Sequence, residues 1–200
     1  MKIILSCLFL LAIATAQAGD IGGTIINKSR LNPKHIVVYL DGNIADSNKT
    51  EAFVIEQKKR KFRPTFLVVP VNRSIIFRNN EAKDINHNVF SRSPNWNVDL
   101  GLMGPGNQQS RVFPKQGRVR VLCSVHRHMR MEVYVTPNAY FAEVKNSRYV
   151  IKDVPPGTYT IKAWVSNGRI RSSTSRITVT SGKMAVWDVE LRRRGRRRSR

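Results

Sequence analysis

Three observations predict an all-β protein. Short runs rich in Val, Ile, Phe and Tyr recur along the chain, as in HIVVYL (35–40) and TYTIKAWV (158–165). Clusters of Gly, Pro, Asn and Ser separate these runs, among them DGN at 41–43 and SNG at 166–168, and such residues favour turns. Helical signals are nearly absent after residue 18. This combination is typical of β-sandwiches and β-barrels.

Each predicted strand is a short run enriched in β-branched or aromatic residues and bounded by turn-forming residues. PKQG (114–117) and PPG (155–157) are further turn signals of this kind. In chain order the predicted strands are GGTIIN, HIVVYL, TFLVVP, SIIFRN, NHNVFS, RVRVLC, MEVYVT, RYVIK, TYTIKAWV, SRITVT and KMAVWDVEL. The basic run QKKRK (57–61) is predicted to be a solvated strand edge or a linker.

The first 18 residues have the features of a cleaved export signal. Lys2 gives a positive start, residues 3–14 form an apolar run, and AQA at 16–18 supplies a small-x-small cleavage site before Gly19. The run is too short to span a bilayer as a helix. A buried N-terminal strand is the alternative. We therefore expect residues 1–18 to be a signal peptide and the protein to be bacterial and periplasmic.

The chain is strongly basic, with a formal net charge of +22. The C-terminal segment 192–200 reads RRRGRRRSR and contains no apolar residue, so it is predicted to be a disordered tail. Such a tail could contact an anionic membrane surface. Non-specific nucleic-acid binding is the alternative, but no base-reading motif accompanies the charge, so no specific nucleic-acid partner is expected.

The cysteine content is the first indication of a site. Cys7 lies in the predicted signal, which leaves Cys123 as the only cysteine of the mature chain and excludes an internal disulfide. A lone thiol in an exported protein tends to oxidise or to pair between chains. Two interpretations follow: the thiol is protected by binding a metal, or it is a buried and inert apolar residue.

The surroundings of this cysteine favour metal binding. In CSVHRHM, Cys123, His126 and Met129 follow one another at intervals of three residues, between two predicted strands. His87, in the upstream strand NHNVFS, offers a second imidazole. Two histidines, a cysteine and a distant methionine are the ligand set of a mononuclear electron-transfer copper site. Zinc could use the same nitrogen and sulfur atoms, but its chemistry requires no methionine. A catalytic cysteine would need an oriented base and an oxyanion site, and no motif for these is visible.

These motifs resemble the cupredoxins, the small blue (type 1) copper proteins. The similarity covers about residues 57–136, and its Cys-x-x-His-x-x-Met loop is similar to that of the amicyanin and pseudoazurin branch. A closer resemblance is to bacterial exported cupredoxin-containing proteins called methylamine utilization proteins. The resemblance implies a Greek-key β-sandwich with one copper ion bound by His87, Cys123, His126 and Met129. It also implies that Asn88 and Ser124 tie the two ligand segments together.

Other candidate residues have less support. The chain has Asn72 where the family usually has Gly, and Asn tolerates the same positive φ. His128 is either an exposed loop residue or an additional ligand. His35 is predicted to be a strand-edge residue rather than a ligand, and Met103 is a rival to Met129 as the thioether.

The rest of the chain resembles a second β module. DVPPGTYTIKAWV (153–165) is similar to the carboxypeptidase-regulatory-like, or transthyretin-like, sandwich, which usually opens with a strand pair like that found at 21–42. We therefore predict a discontinuous sandwich formed by residues 21–45 and 138–191, with a cupredoxin domain at 52–136 inserted between them. Insertion of a domain at a loop is tolerated when the two ends lie close together.

Basic residues near the predicted ligand loops indicate the charge of the partner. Arg92, Lys115, Arg127 and Arg130 lie in or beside these loops. The resemblance implies that electrons pass through the edge of His126, so a basic rim there would attract an acidic redox protein. The alternative is that these residues are scattered solvated charges.

The sequence therefore predicts an exported one-electron carrier with one copper ion, neither an enzyme nor a binder of small-molecule substrates. Two alternatives remain. The same site could store or deliver copper in the cell envelope, or the protein could be a structural or adhesion β-sandwich with a vestigial metal site.

Overall fold

The structure, a computed structural model, describes residues 17–45, 52–82, 84–171 and 173–195. Most of the predicted export signal (1–16) and the last five residues of the arginine-rich tail lie outside these ranges. Across the described ranges all regular structure is β-strand, which confirms the predicted all-β class. No helix in them has the length and apolar character needed to cross a bilayer.

Seventeen strands are found in the described ranges. They are β1 (Gly19–Asn27), β2 (Ile36–Leu40), β3 (Phe53–Gln57), β4 (Phe62–Arg63), β5 (Phe66–Pro70), β6 (Ser74–Asn79), β7 (His87–Ser93), β8 (Trp96–Met103), β9 (Gln108–Val112), β10 (Gly117–Leu122), β11 (Arg130–Thr136), β12 (Phe141–Glu143), β13 (Arg148–Val154), β14 (Gly157–Val165), β15 (Ser173–Val179), β16 (Met184–Val186) and β17 (Val189–Leu191).

Strands β3 to β11, which we call the inserted unit, form two sheets. One has the order β5-β11-β10-β7-β8, and the other has the order β4-β3-β6-β9. Alternate residues of β6 and β10 are buried, as expected for sheets that pack through one face. The buried faces share one apolar cluster that includes Phe77, Trp96, Phe113, Val119 and Val133.

Strands β1, β2 and β12 to β17, which we call the flanking unit, form the other two sheets. One centres on β1, which pairs with β13, β16 and β17, and the other has the order β12-β2-β14-β15. They enclose a separate apolar cluster that includes Ile21, Leu40, Ile161 and Val189. Both sheets therefore combine strands from before and after the inserted unit.

The two units contact each other through a third apolar cluster, which we call the interface cluster. The outward face of β2 contributes Val37 and Tyr39, and the inserted unit contributes Phe66, Val68 and Tyr134, with Phe141 and Trp164 packed at its margin. The rings of Tyr134 and Trp164 stack with centroids 4.2 Å apart. The Tyr134 hydroxyl donates a hydrogen bond to the Tyr39 hydroxyl at 3.1 Å. The contact thus combines apolar packing with a buried polar link.

The first residues of the predicted disordered tail are ordered. The backbone N–H of Arg171 donates to the carbonyl of Arg192 at 3.0 Å, and that of Arg194 donates to the carbonyl of Arg169 at 2.7 Å. The predicted start of the disordered tail at residue 192 is therefore too early. The prediction rested on the lack of apolar side chains, but backbone pairing can order a segment that has none.

Candidate metal centre

The loop that contains Cys123, His126 and Met129 joins β10 to β11. These two strands pair antiparallel from Gly117↔Val135 to Leu122↔Arg130, so the seven-residue loop closes at the end of a hairpin. The backbone N–H of Cys123 donates to the carbonyl of Met129 at 3.2 Å, and the N–H of Met129 donates to the carbonyl of His126 at 2.8 Å. These bonds link the backbone of the three predicted ligand residues of the loop to one another.

His87 joins this group from the neighbouring strand. It is the first residue of β7, which lies beside β10 in the five-stranded sheet. Its Nδ1 atom is 3.9 Å from the Sγ atom of Cys123 and 3.1 Å from the Nδ1 atom of His126. The candidate ligand atoms of the three residues all lie within 4.8 Å of one another. His87 and Cys123 are buried, and His126 is half-buried.

Both candidate thioethers are buried in the same apolar cluster as Cys123. Met129 and Met103 are each 1% exposed. Met129 is tied by its backbone to Cys123 and His126, whereas Met103 pairs with His87 across the β7–β8 ladder. Met129 is therefore linked to the ligand loop itself, as the sequence spacing predicts.

A buried carboxylate, which the sequence did not indicate, supports His87. The Oε1 atom of Glu81 lies 2.9 Å from Nε2 of His87, and its side chain is only 5% exposed. Burial raises the pKa of Glu81, but hydrogen bonds from the backbone of Arg60 and Lys59 and from His87 outweigh this effect and leave the pKa below its ordinary value. The ionised carboxylate can only accept, so Nε2 of His87 must donate. The Nδ1 atom of a neutral His87 then keeps its lone pair toward Cys123 and His126.

The environment of His126 also suits metal binding. Burial is the main cause that lowers its pKa below the ordinary value, and the nearby positive charge of Arg60 acts in the same direction. A lowered pKa favours the neutral imidazole, which is the form that binds a metal.

Asn88 and Ser124 connect the two ligand segments. The Oδ1 atom of Asn88 accepts hydrogen bonds from the backbone N–H of Ser124 at 2.7 Å and from its hydroxyl at 3.0 Å. The Nδ2 atom of Asn88 donates to Asp99 at 3.1 Å, and the Asn88 carbonyl accepts from Nε2 of the fully buried Gln57. The structure thus gives both residues the tying contact that the resemblance implies, with Asp99 and Gln57 as supports that the sequence did not indicate.

The remaining histidines lie outside the cluster. His128 is exposed, its ring centroid is 6.1 Å from that of His126, and its Nε2 atom is 3.1 Å from the carbonyl oxygen of Arg60. His35 stacks on Phe66 with ring centroids 3.7 Å apart, and its Nδ1 atom is 3.1 Å from Glu143. His35 is therefore part of the contact between the two units.

The basic residues predicted to surround the ligand loops divide into two groups. Arg92, Arg127 and Arg130 line two adjoining surface cavities next to β10. Lys115 lies in the β9–β10 connection, at the opposite end of β10 from Cys123. Its position near Cys123 in sequence does not bring it near the ligand loop, because the intervening residues form an extended strand.

The residues present fit a copper ion. A thiol and two imidazole nitrogens converge in a buried site, with two buried thioethers in the adjoining core, and one imidazole is held by a carboxylate that fixes its outer nitrogen as a donor. Two imidazoles and one thiolate form a donor set that suits both oxidation states of copper, Cu(I) and Cu(II). The hydrogen bonds through Glu81 and Asn88 account for the orientation of the ligand segments.

Comparisons with known proteins give partial matches. The profile of the family described as "Polysaccharide lyase family 4, domain II" matches residues 117–186, which is less than half of the chain. No curated protein matches the sequence.

Similar solved structures cover about half of the chain. A copper-containing nitrite reductase from Thermus scotoductus SA-01 is 20% identical over 48% of this chain and 25% of its own, with a TM-score of 0.41. A purple cupredoxin from Nitrosopumilus maritimus is 19% identical over 42% of this chain and 99% of its own, with a TM-score of 0.37. A methionine-to-alanine variant of amicyanin in its Cu(I) form is 22% identical over 49% of this chain and 97% of its own, with a TM-score of 0.39.

Proposed function

We propose that this chain is a mononuclear type 1 copper protein that carries one electron at a time between redox partners. The observation that supports this function is the convergence of the ligand atoms of His87, Cys123 and His126 within 4.8 Å of one another, in a buried site. Copper, when bound, supplies the one-electron Cu(I)/Cu(II) couple. Met129 is the proposed fourth ligand.

The protein residues contribute orientation and rigidity. Glu81 holds the outer nitrogen of His87, and Asn88 fixes the start of the ligand loop through two hydrogen bonds to Ser124. His87 and the ligand loop lie at the ends of adjacent strands of one sheet, so the ligand atoms are held nearly fixed by backbone pairing. Such a scaffold keeps one geometry for both oxidation states, which favours rapid electron exchange over catalysis on a bound substrate.

The geometry also resembles that of a catalytic cysteine, which is the alternative to metal binding at Cys123. Cys123, His87 and Glu81 form a row with separations of 3.9 Å and 2.9 Å, which is the order of a nucleophile, a base and an orienting carboxylate. However, Cys123 is only 3% exposed, and it lines neither of the two cavities beside β10. A substrate could not reach the sulfur, so we favour metal binding.

The first experiment is the addition of Cu(II) to the purified protein, followed by visible absorption spectroscopy. We expect an intense thiolate-to-copper band in the red region, and we expect Cys123→Ser and His126→Gln to abolish it. His128→Gln is the matched control, because it removes an imidazole two residues away that lies outside the cluster, and its band should be unchanged. A correctly folded protein without the band would contradict the proposal and leave the structural or adhesion function.

The second experiment separates electron transfer from copper storage or delivery. Voltammetry of the copper-loaded protein should show a reversible one-electron wave, and the Cu(I) form should resist a Cu(I) chelator. Rapid loss of Cu(I) to the chelator would instead favour storage or delivery.

We also propose that the protein acts in the bacterial periplasm, as the signal-like sequence at 1–18 indicates. Mass spectrometry of protein recovered from the periplasm should give a mature chain that begins at Gly19. Retention of residues 1–18 on a cytoplasmic protein would contradict this localisation.

A further inference from the structure

A basic groove crosses the outer face of the five-stranded sheet beside the ligand loop. The larger of two adjoining cavities has a volume of about 730 Å³, and the smaller has a volume of about 270 Å³. They share Arg118, Arg120 and Leu122, and therefore form one continuous depression. The cationic residues that line the larger cavity are Lys34, Lys61, Arg118, Arg120, Arg127 and Arg130. The smaller cavity adds Arg92.

The charge of this groove is strongly unbalanced. Glu132 is the one acidic residue among the described residues that line it, and its Oε2 atom is already paired with Arg118 at 2.8 Å. The remaining guanidinium groups can bind carboxylates in a bidentate manner. A partner that presents several carboxylates is therefore complementary to the groove, and its association would be accelerated by long-range attraction.

One feature indicates a protein rather than a uniformly charged polymer. The half-buried Leu122 lies beside Arg118 and Arg120 on the same face of β10, and protein interfaces combine apolar contacts with a polar rim in this way.

The groove also reaches the candidate metal centre. His128 and Met129 of the ligand loop are part of its lining, and Leu122 directly precedes Cys123. A protein seated in the groove therefore contacts the loop that holds three of the four proposed ligands.

We infer that this groove is the docking site for an acidic one-electron redox protein, an inference that rests on the proposed electron-transfer function. Carboxylates of the partner pair with the arginines of β10 and β11, and its apolar surface covers Leu122. The partner oxidises Cu(I) to Cu(II) and takes up the one electron released, or supplies one electron in the reverse direction.

The test uses cytochrome c in two forms that share one haem and differ in charge, the native basic protein and its succinylated acidic form. The rate constant for oxidation of the Cu(I) protein by the succinylated form should exceed that for the native form, and should fall as the salt concentration rises. The double variant Arg120→Glu with Arg130→Glu should lower the rate with the succinylated form by at least tenfold. Arg148→Glu with Arg176→Glu, which reverses two exposed charges of the flanking unit, should change it less than twofold. Equal losses in both double variants would overturn the docking site, because they would show an effect of net charge alone.

A second measurement is independent of copper. Binding of a twelve-residue oligoglutamate peptide to the copper-free chain should weaken at least tenfold in the Arg120→Glu, Arg130→Glu variant, and should be preserved in the flanking-unit variant. If copper binding fails but the peptide result holds, the proposed function is wrong and the acidic-protein groove stands. The inference is wrong if the groove variant binds the peptide as tightly as the unmodified chain does but binds a single-stranded oligonucleotide more weakly. That result would show that the groove is a nucleic-acid site.

Discussion

Glu81 is the residue that links the candidate metal centre to the β3–β4 turn. Its carboxylate accepts from His87 and from the backbone N–H groups of Lys59 and Arg60, and the carbonyl of Arg60 in turn contacts His128. Lys59 and Arg60 both adopt positive φ, which turns their N–H groups toward one carboxylate. The basic run 57–61 therefore has a structural role through its backbone, in addition to its exposed charges.

Removal of the negative charge on Glu81 should raise the reduction potential of bound copper. Cu(II) carries more positive charge than Cu(I), so a nearby buried carboxylate stabilises the oxidised form. We expect Glu81→Gln to shift the potential upward by on the order of tens of millivolts. Voltammetry of the loaded protein measures this change. Glu56→Gln, which removes the same charge from a neighbouring strand without contacting His87, should shift the potential much less, and equal shifts would contradict the role of Glu81.

Asn88 should contribute more to stability than its hydroxyl partner does. Asn88→Ala leaves the backbone N–H of Ser124 without its partner and removes one of the two hydrogen bonds that Asp99 accepts, so a loss of about 1–2 kcal/mol in the free energy of unfolding is expected. Ser124→Ala removes one hydroxyl and should cost about 1 kcal/mol or less. Urea denaturation of the copper-free variants measures both values, and similar losses would argue against a tying role for Asn88.

Among the single residues, the sequence identified those site residues whose spacing along the chain is typical of a metal site. The three-residue interval between Cys123 and His126 and the strand context of His87 were sufficient to predict that these three side chains converge. The place of the Met129 sulfur beside them stays a prediction. Glu81 was not predictable, because it lies in the irregular segment between β6 and β7. Its carboxylate is held there by the backbone N–H groups of the β3–β4 turn, which is distant in sequence. Gln57 and Asp99 were missed for the same reason, since contacts between distant segments leave no local pattern.

Among the strands, β1 and β17 are joined by a side-chain contact as well as by backbone pairing. Asp188, which precedes β17, accepts from the backbone N–H of Thr24 at 2.8 Å and from its hydroxyl at 2.7 Å. These hydrogen bonds lower the pKa of Asp188 below its ordinary value, against a smaller opposing effect of burial. The ionised carboxylate thus helps to hold the C-terminal strand on the central strand of its sheet.

This contact predicts a specific dependence of stability on pH. Because the pKa is lower in the folded state, the stabilisation is fully present above the unfolded-state pKa of about 3.9 and is lost as the pH falls toward the folded-state value. The urea midpoint should therefore fall less steeply for Asp188→Asn than for the unmodified protein between about pH 5 and pH 3. Parallel curves for the two proteins would contradict the prediction. The comparison cancels the contributions of other carboxylates.

The strands that the sequence did not predict have weak or mixed patterns. β9 has the sequence QQSRV and lies at the edge of its sheet with mostly exposed side chains, so it carries no apolar alternation. β8 contains Gly101 at a φ of +72°, which interrupts the pattern of a regular strand. β3 was missed because it is only five residues long and its last residue, Gln57, is the first residue of the basic run. SIIFRN was found because its apolar residues alternate with the burial of one face. MEVYVT was found because it is a nearly continuous run of β-branched and aromatic residues, which the structure buries on both faces.

For the whole molecule, the interface cluster determines whether the two units unfold together. Trp164 stacks on Tyr134 and lies parallel to Phe66, so it connects the flanking sheet to the inserted sheet. Apolar burial at such a contact makes each unit dependent on the other. The two separate cores would otherwise allow independent unfolding.

Trp164→Ala should uncouple the two units. Loss of a partly buried aromatic residue of this size is expected to cost about 2–3 kcal/mol. Calorimetry of the copper-free protein should change from one transition to two, and Trp164→Phe, which keeps an aromatic ring in the cluster, should retain a single transition. A single transition in Trp164→Ala with a small loss of stability would show that other contacts couple the units.

The interrupted order of the strands also affects how the chain is made. β2 ends at Leu40, but its partners β12 and β14 begin only at Phe141 and Gly157, and the three partners of β1 also follow the inserted unit. At typical translation rates of about 5–20 residues per second, β2 emerges roughly 6–23 s before β14. During that interval β1 and β2 have unpaired edges, while β3 to β11 can already complete their own core. A chaperone that shields residues 19–40 would therefore be needed most while the inserted unit is being synthesised.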